Sequence, residues 1–373
     1  MNKKLAIIGG GVSGVTLARL VQDSFSVTIF EREPSLLQKL LRTGNGRANI
    51  YNRNIHPFCY NDEDFLSAHL PRIVKTLDDL FNTFNIVTYT DAEGRVYPYS
   101  RSAKALRALF INGLKCDIRL EHTVKEITKV NDKYEVDGEE FDAVALTMGS
   151  SAGLFKYPLD NNNAALINGL GLETTELVPT IKTIKVSENL KRIEHERVIA
   201  RMTLFDDDNI IASDVGEVLF KKDGLSGIVS FILSSYLEWA VVKNPKRHYS
   251  LALDLMPDFS RRYAAELIQK EADFDNIFSP NLSHYLKGRP EPLLERVKNL
   301  TFTPKPKNNP ENTSALHGGI KLSQLTEDFA VKQSENLYAL GEVINIDGIC
   351  GGYNLAFAFY AAKVVSDALL RKL

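Results

Sequence analysis

Two glycine-rich stretches hold the residues whose types and spacing could do chemistry. The first is "GGGVSG", with Gly9, Gly11 and Gly14; the second is "DGICGGYN", with Gly348, Gly351 and Gly352. Each opens an apolar run of helical character. The Gly-x-Gly-x-x-Gly spacing suits a tight turn, close approach of a pyrophosphate to the backbone, and close helix-to-strand packing. A helix that starts there aims free N–H groups, and roughly half a positive charge, at the phosphates. Further along stands Glu31, whose carboxylate can accept hydrogen bonds from adenosine ribose hydroxyls. An acid at that position disfavours a 2′-phosphate, so FAD or NAD fits better than NADP.

The elements that must position these residues are legible around them. Leu5–Ile8 reads as a short buried strand, a helix runs from the glycines through Leu20 and Val21, and Val27–Phe30 is a second strand ending on Glu31. That is a βαβ unit in order. A simple NAD dehydrogenase would continue with further βαβ units, and this chain does not. "EPSLLQKLLRTGNGRANIYNRN" predicts a short helix and a polar loop, residues 62–84 a helical stretch, and "NIVTYTDAEGRVYPYS" a hairpin turning at Glu93-Gly94. "SRSAKALRALFINGLK" predicts a helix capped by Ser100 or Ser102, with Gly113 near its end. Three strands with turns at Asn131-Asp132 and Asp137-Gly138 then lead into "AVALTMG". This β-meander is a flavoprotein arrangement, which favours FAD; a plain NAD-binding dehydrogenase is a further reading, excluded if the purified protein is yellow.

The predicted fold class is α/β: a three-layer Rossmann-like FAD-binding domain with a β-meander, interrupted by a small β-barrel domain and a helical cap. The expected boundaries are 1–171 for the first part of the FAD domain, 172–257 for the barrel-like insertion, 258–300 for the cap, and 301–373 for the return linker and the remainder of the FAD domain. The insertion is rich in short alternating strands such as "RVIARMTLF" and "HYSLALDL", with an apolar helix in "GLSGIVSFILSSYLEWAVV". "TPKPKNNPENTSA" is a Pro/Asn-rich return linker.

Composition narrows the function classes. The chain has 373 residues, 44% of them hydrophobic, and a net charge of −2; this length calls for more than one core. No global field draws it to nucleic acid or to an anionic membrane, so neither is expected as a partner. The three cysteines, Cys59, Cys116 and Cys350, contain no Cys-x-x-Cys, which argues against a disulfide framework, a zinc site and a redox dithiol. The lysines and apolar run at the start are interrupted by glycines and followed by Arg19, unlike a signal peptide. The expected location is cytoplasmic, the expected partner a small-molecule substrate, and no metal is expected; nothing in the sequence sets an oligomeric state.

The chain resembles the bacterial flavoprotein family that includes aminoacetone oxidase and the BaiN-type bile-acid reductases. The resemblance runs through "GGGVSG", "QKLLRTGNGRANIYN", "GRVYPYS", "LTMGSS", "GEVLFKKDGLSG", "HGGIKL" and "GEVINIDGICGGYNLAFA", nearly the whole length. It implies a glutathione-reductase-like FAD domain interrupted by a barrel and a cap, with Asp347 through Asn354 wrapping the flavin and the last helix aimed at the isoalloxazine ring. Such a helix N-terminus would stabilise the negative charge of reduced flavin, and Gly351 and Gly352 would let the backbone lie against the ring. The implied cofactor-binding positions are Gly9, Gly11, Val12, Ser13, Gly14, Glu31, Arg32, Lys39, Gly46, Arg47, Asn49, Val124, Thr147, Gly149, Gly341, Glu342, Asp347, Gly351, Gly352, Tyr353 and Asn354. The chain departs from the family pattern at Asn45, Ala48, Met148 and Ile228, where glycine, cysteine, glycine and proline are usual; a chemistry that used that cysteine is closed to it.

Several residues keep two readings. Arg47 either pairs with phosphate or flavin through its guanidinium or is a surface arginine. Val124 either contacts adenine through its backbone or is a core strand residue. Asp347 either binds the ribityl chain or makes an Asp-Gly turn, and Glu342 is a second ribityl candidate. Tyr353 and Asn354 either meet the ring or start a buried helix. His317 is either a proton shuttle or structural, Cys350 reads as a packing residue, and Tyr97 and Tyr99 either line the substrate side or pack. The expected activity is FAD-dependent hydride transfer between a small organic substrate and flavin N5, with the substrate between the flavin and the insertion. The alternatives are an amine oxidase releasing hydrogen peroxide and a flavin protein with little turnover. With one dinucleotide motif, NAD(P)H would visit the flavin only transiently.

Overall fold

The computed structural model describes residues 2–150, 152–153, 162–307 and 313–373. Ser151 of "LTMGSS" and residues 308–312 of the return linker lie outside them. The chain divides into two compact units, one made of Met1–Leu177 with Ala315–Leu373, the other of Val178–Ser314.

The first unit begins with β1 (Lys4–Ile8), α1 (Val12–Val21) and β2 (Ser26–Phe30), the βαβ unit read from the glycines. Next come β3 (Tyr51–Asn52), α2 (Glu63–Leu66), α3 (Leu70–Thr83), β4 (Thr88–Thr90), β5 (Arg95–Pro98), α4 (Ala103–Asn112) and β6 (Asp117–Arg119). The meander is β7 (Ile127–Val130), β8 (Lys133–Val136) and β9 (Glu139–Phe141), followed by β10 (Ala143–Leu146) and α5 (Asn162–Gly169).

Two stretches differ from expectation. Residues 62–84 form two helices rather than one, because Pro71 in the first turn of α3 has no N–H to continue a helix from α2. The short helix after Glu31 is a 3₁₀ stretch at Lys39–Gly46, broken where Gly44 and Asn45 turn left-handed. Of the two candidate caps for α4, Ser102 is the one used; its side chain accepts from the Ala105 N–H at 3.2 Å.

The second unit contains β11 (Val178–Thr180), β12 (Ile184–Lys185), β13 (Arg197–Asp206), β14 (Asn209–Lys221), β15 (Gly224–Ser226), α6 (Ile228–Lys243), β16 (Tyr249–Asp254), α7 (Arg261–Leu267), α8 (Pro280–Lys287), α9 (Glu295–Lys298) and β17 (Leu300–Phe302). Its sheet runs β12-β15-β14-β13-β16-β17, with antiparallel pairs throughout. Met202, Phe220, Leu233 and Leu251 from the sheet and α6 share one core with Phe274, Leu286 and Val297 from the helical stretch.

The chain then returns to the first unit with β18 (Ala315–His317), β19 (Leu337–Ala339) and α10 (Tyr353–Leu370). The main sheet there is parallel, in the order β19-β10-β1-β2-β6. Its central strands are near-continuous apolar runs, because the sheet is covered by α1 and by the meander, whose β8 and β9 pack against β10 and β1. Leaving β1, the chain goes by α1 to β2 on one side, while β10 lies on the other. The C-terminal ends of β1 and β10 therefore border a switch point, the crevice where open α/β sheets bind ligands. α10 packs against α1 and α3 and buries Ala356, Phe357, Tyr360, Ala361 and Val365.

Candidate functional site: a cofactor cradle at the sheet's carboxyl edge

The glycines of the first loop have three separate causes. A Cβ on Gly9, which sits at φ +115°, would lie 2.8 Å from the Thr147 and Met148 backbone. A Cβ on Gly14 would lie 2.1 Å from the Gly9 carbonyl oxygen and 2.7 Å from Thr147 Oγ1. Both glycines are demanded by the polypeptide itself. Gly11 is different: it caps the N-terminus of α1, and a Cβ there would meet nothing within 4 Å. Space stands open just where Val12, Ser13 and Gly14 begin the helix and their N–H groups lack intrahelical partners.

The neighbouring strand ends complete this edge. Thr147 Oγ1 donates to the Gly9 carbonyl at 2.7 Å and fixes the loop to the end of β10. Gly341, after β19, abuts the first turn of α1; a Cβ there would come 2.3 Å from Ser13 Oγ. Lys39 Nζ donates to Glu342 Oε2 at 2.6 Å and to Ser150 Oγ at 3.2 Å. The Ser150 N–H reaches the same carboxylate oxygen at 3.3 Å, and a Cβ on Gly149 would lie 3.0 Å from it. Lys39 and Glu342, read separately from sequence, thus form one ion pair tying three loops together.

Glu31 directly follows β2, with its carboxylate turned back on the loop. Oε2 accepts from the Gly10 N–H at 2.7 Å and Oε1 from the Glu33 N–H at 2.8 Å. Burial raises its pKa above the usual carboxylate value, offset by those two hydrogen bonds. A carboxylate offers about four lone-pair sites, so two remain for ribose hydroxyls. Glu33, which carries no motif signal, is buried; its Oε1 has no hydrogen-bond partner among the described residues and lies 3.7 Å from Arg32 Nε. Val124 is buried in the segment before β7. Asp137 Oδ1 fixes the residues after it, accepting from the Lys125 and Glu126 N–H groups at 3.0 Å each.

At the second glycine stretch the structure supplies a different cause from the one expected. A Cβ on Gly351 would lie 2.8 Å from the Tyr353 ring; one on Gly352 would lie 2.7 Å from Asn49 Oδ1 and 3.0 Å from the Tyr51 backbone. Gly352, at φ +101°, is the left-handed N-cap of α10. These glycines are required by the chain's packing on itself, with no ring needed to explain them. Asn354 ties the loop by exchanging hydrogen bonds with Gly348 at 2.9 and 2.8 Å, and Tyr353 donates its hydroxyl to the Asn54 carbonyl at 3.2 Å. Asn52 Nδ2 donates to the Gly351 carbonyl at 3.3 Å. Asn52 in the two-residue β3, and Tyr60 and Asn61 in irregular chain, carry no periodic signal and were not legible as site residues; Tyr60 bridges to Gly348, and the Asn61 side chain accepts from the Asp347 N–H.

One atom here lacks a partner in the polypeptide. Asn49 Oδ1 is buried and has no hydrogen-bond partner among the described residues. A sealed acceptor without a donor costs about 1–3 kcal/mol, a cost that a donor from a bound ligand would relieve. Open space at Gly11 and an orphaned acceptor at Asn49 both fit an elongated cofactor with phosphates at one end and polar ring atoms at the other.

The remaining candidates fall around that end. Gly46, at φ +83°, and Arg47 are exposed. Tyr97 stacks on Tyr89 with ring centroids 5.5 Å apart, while Tyr99 is 71% exposed. Burial pushes the Cys350 thiol up to about 11, so it is no thiolate near neutral pH. Asp347 is buried and paired with His317, its Oδ1 lying 2.7 Å from Nδ1. Among the described residues no group of His, Cys, Asp and Glu could hold a metal ion, and no helix is long and apolar enough to cross a membrane.

Strand order, glycine loop and meander define a Rossmann-type dinucleotide flavoprotein fold. The family model described as "HI0933-like protein Rossmann domain" matches residues 3–368, and the chain belongs to this FAD-binding oxidoreductase family. It is 25% identical to a 3-dehydro-bile acid delta(4,6)-reductase of Clostridium scindens, with 98% of each chain covered. It is 20% identical to a ribosomal RNA dihydrouridine synthase of Haemophilus influenzae, again with 98% of each covered. Among solved structures it resembles a 3-ketosteroid delta1-dehydrogenase from Sterolibacterium denitrificans in fold, at TM-score 0.51 and 10% identity, covering 98% of this chain and 100% of that one.

Proposed function

We propose that the protein carries FAD along the carboxyl edge of its parallel sheet and transfers hydride between flavin N5 and a small organic substrate. The observation that carries this reading is Gly11, the one glycine of its loop whose Cβ would meet only open space, at a helix N-terminus. In the proposal that N-terminus takes the pyrophosphate, Glu31 with Glu33 takes the adenosine ribose, Glu342 and Asp347 flank the ribityl chain, and Asn49 with Tyr353 and Asn354 meets the ring. The flavin supplies the hydride chemistry; the chain binds, orients and excludes water.

The substrate class follows from what the relatives' names share. A delta(4,6)-reductase acting on a 3-dehydro compound and a dihydrouridine synthase both saturate a C=C conjugated to a carbonyl. We assign this protein the same class, an α,β-unsaturated carbonyl compound, with NAD(P)H as the transient electron source. The charge balance of −2 favours a small substrate over RNA, which is bound chiefly through its phosphates. The test is anaerobic: the purified yellow protein bleaches on mixing with NADH or NADPH, and the colour returns with an enone. A colourless protein that refuses added FAD ends the reading. Peroxide release with aminoacetone, and no reaction with enones, would select the amine-oxidase alternative.

A further inference from the structure

Two buried histidines in the first unit differ in one respect. His69 hydrogen-bonds through Nδ1 to the Tyr360 hydroxyl at 3.0 Å, and its Nε2 is sealed from solvent without a hydrogen-bond partner among the described residues. His317 bonds through Nδ1 to Asp347 Oδ1 at 2.7 Å, and 9% of its side chain remains exposed. A carboxylate on Nδ1 fixes the tautomer, so Nε2 is an acceptor in neutral imidazole and a donor in imidazolium. Asp347 is held in turn by Asn61, whose Oδ1 accepts from its N–H at 2.9 Å.

The position matters as much as the pair. A run of close backbone contacts leads from the cradle to this histidine. Gly341 abuts Ser13 at the start of α1; Val343 follows, and a Cβ on Gly319 would lie 2.5 Å from the Val343 carbonyl oxygen. Gly319 is two residues from His317, and Asp347 directly precedes the loop that opens α10. The dyad therefore stands on the carboxyl edge of the sheet, where open α/β sheets bind their ligands.

We infer that His317 Nε2 is the proton donor of the reaction, with Asp347 as the residue that positions it. The inference rests on the hydride-transfer reading above. In the forward step the β-carbon of an α,β-unsaturated carbonyl substrate accepts hydride, both electrons coming from reduced flavin. The C=C bond is lost, and the α-carbon takes the proton from Nε2. The products are the saturated carbonyl compound, oxidised flavin and neutral imidazole, which regains its proton from solvent.

The experiment uses the FAD-loaded protein, photoreduced without oxygen and mixed with cyclohex-2-en-1-one as the probe. His317→Ala is expected to keep its flavin content and visible spectrum while reoxidation slows by about 100-fold or more, and added imidazole is expected to restore part of the rate. Asp347→Asn is expected to slow the limiting rate without altering half-saturation. Reoxidation of His317→Ala at the wild-type rate, or a deficit that imidazole leaves untouched, overturns the inference. A second readout does not depend on turnover: with ¹⁵N-histidine labelling, FAD loading should shift the Nε2 resonance of His317 and leave that of His69 in place. An unmoved His317 resonance overturns the assignment by itself. If wild type leaves cyclohexenone untouched while that resonance shifts, the enone reading falls and the place of His317 at the flavin stands.

Discussion

The two glycine loops look alike in sequence and are unlike in cause. At the N-terminal loop, Gly9 and Gly14 are fixed by contact with Thr147 and with each other, and together they hold Gly11 beside open space. At the C-terminal loop, Gly351 and Gly352 are filled by the chain's own Tyr353, Asn49 and Tyr51. Glycine richness by itself therefore does not mark a ligand. The informative glycine is the one a side chain would fit, standing at a helix N-terminus whose N–H groups lack partners within the helix.

Substitutions can break or sharpen that contrast. The largest effect is expected at Gly14→Val, where a branched side chain would meet backbone at 2.1 Å. About 3 kcal/mol or more is expected to be lost, read as a lowered denaturant midpoint in apo and FAD-loaded protein alike; an unchanged midpoint would remove the packing argument. Gly352→Ala should follow, costing about 1–2 kcal/mol for a left-handed backbone and more for the contact with Asn49. If the apo protein tolerates this change and only the flavin-loaded form suffers, the loop belongs to the ligand after all.

Glu342→Gln removes the half-exposed pair with Lys39 and should cost about 1 kcal/mol or less, seen as a small fall in melting temperature. The smallest effect concerns Glu31. Its folded pKa is raised, chiefly by burial, so its contribution is fully present below the unfolded value near 4.5 and is lost as pH rises through the folded one. The stability of apo wild type relative to Glu31→Gln should therefore decline from pH 4 to pH 7; a rising difference would contradict the assigned burial.

Much of this site was legible from residue types. Gly9, Gly11, Gly14 and Glu31 announce their strand, turn and helix because their spacing matches one βαβ unit. The meander was readable from Asn131, Asp137 and Gly138, all of which adopt positive φ in the structure. The rest depends on contacts between residues remote in sequence. Nothing local tells Lys39 that Glu342 is its partner, or His317 that Asp347 holds its ring. The reason for Gly352 is likewise invisible without Asn49 beside it. The division of residues 62–84 was available in principle from Pro71, whose fixed φ and missing N–H suit a helix start.

The most direct measurement is paired on one variant, Gly11→Ala: its unfolding midpoint without cofactor and its FAD dissociation constant. A methyl group there meets no protein atom within 4 Å, so the apo midpoint should stay within about 0.5 kcal/mol of wild type while FAD affinity falls by ~100-fold, about 2.7 kcal/mol. Wild-type affinity for FAD in a stably folded Gly11→Ala protein would contradict the account, because the open space at the start of α1 would then have no ligand to receive.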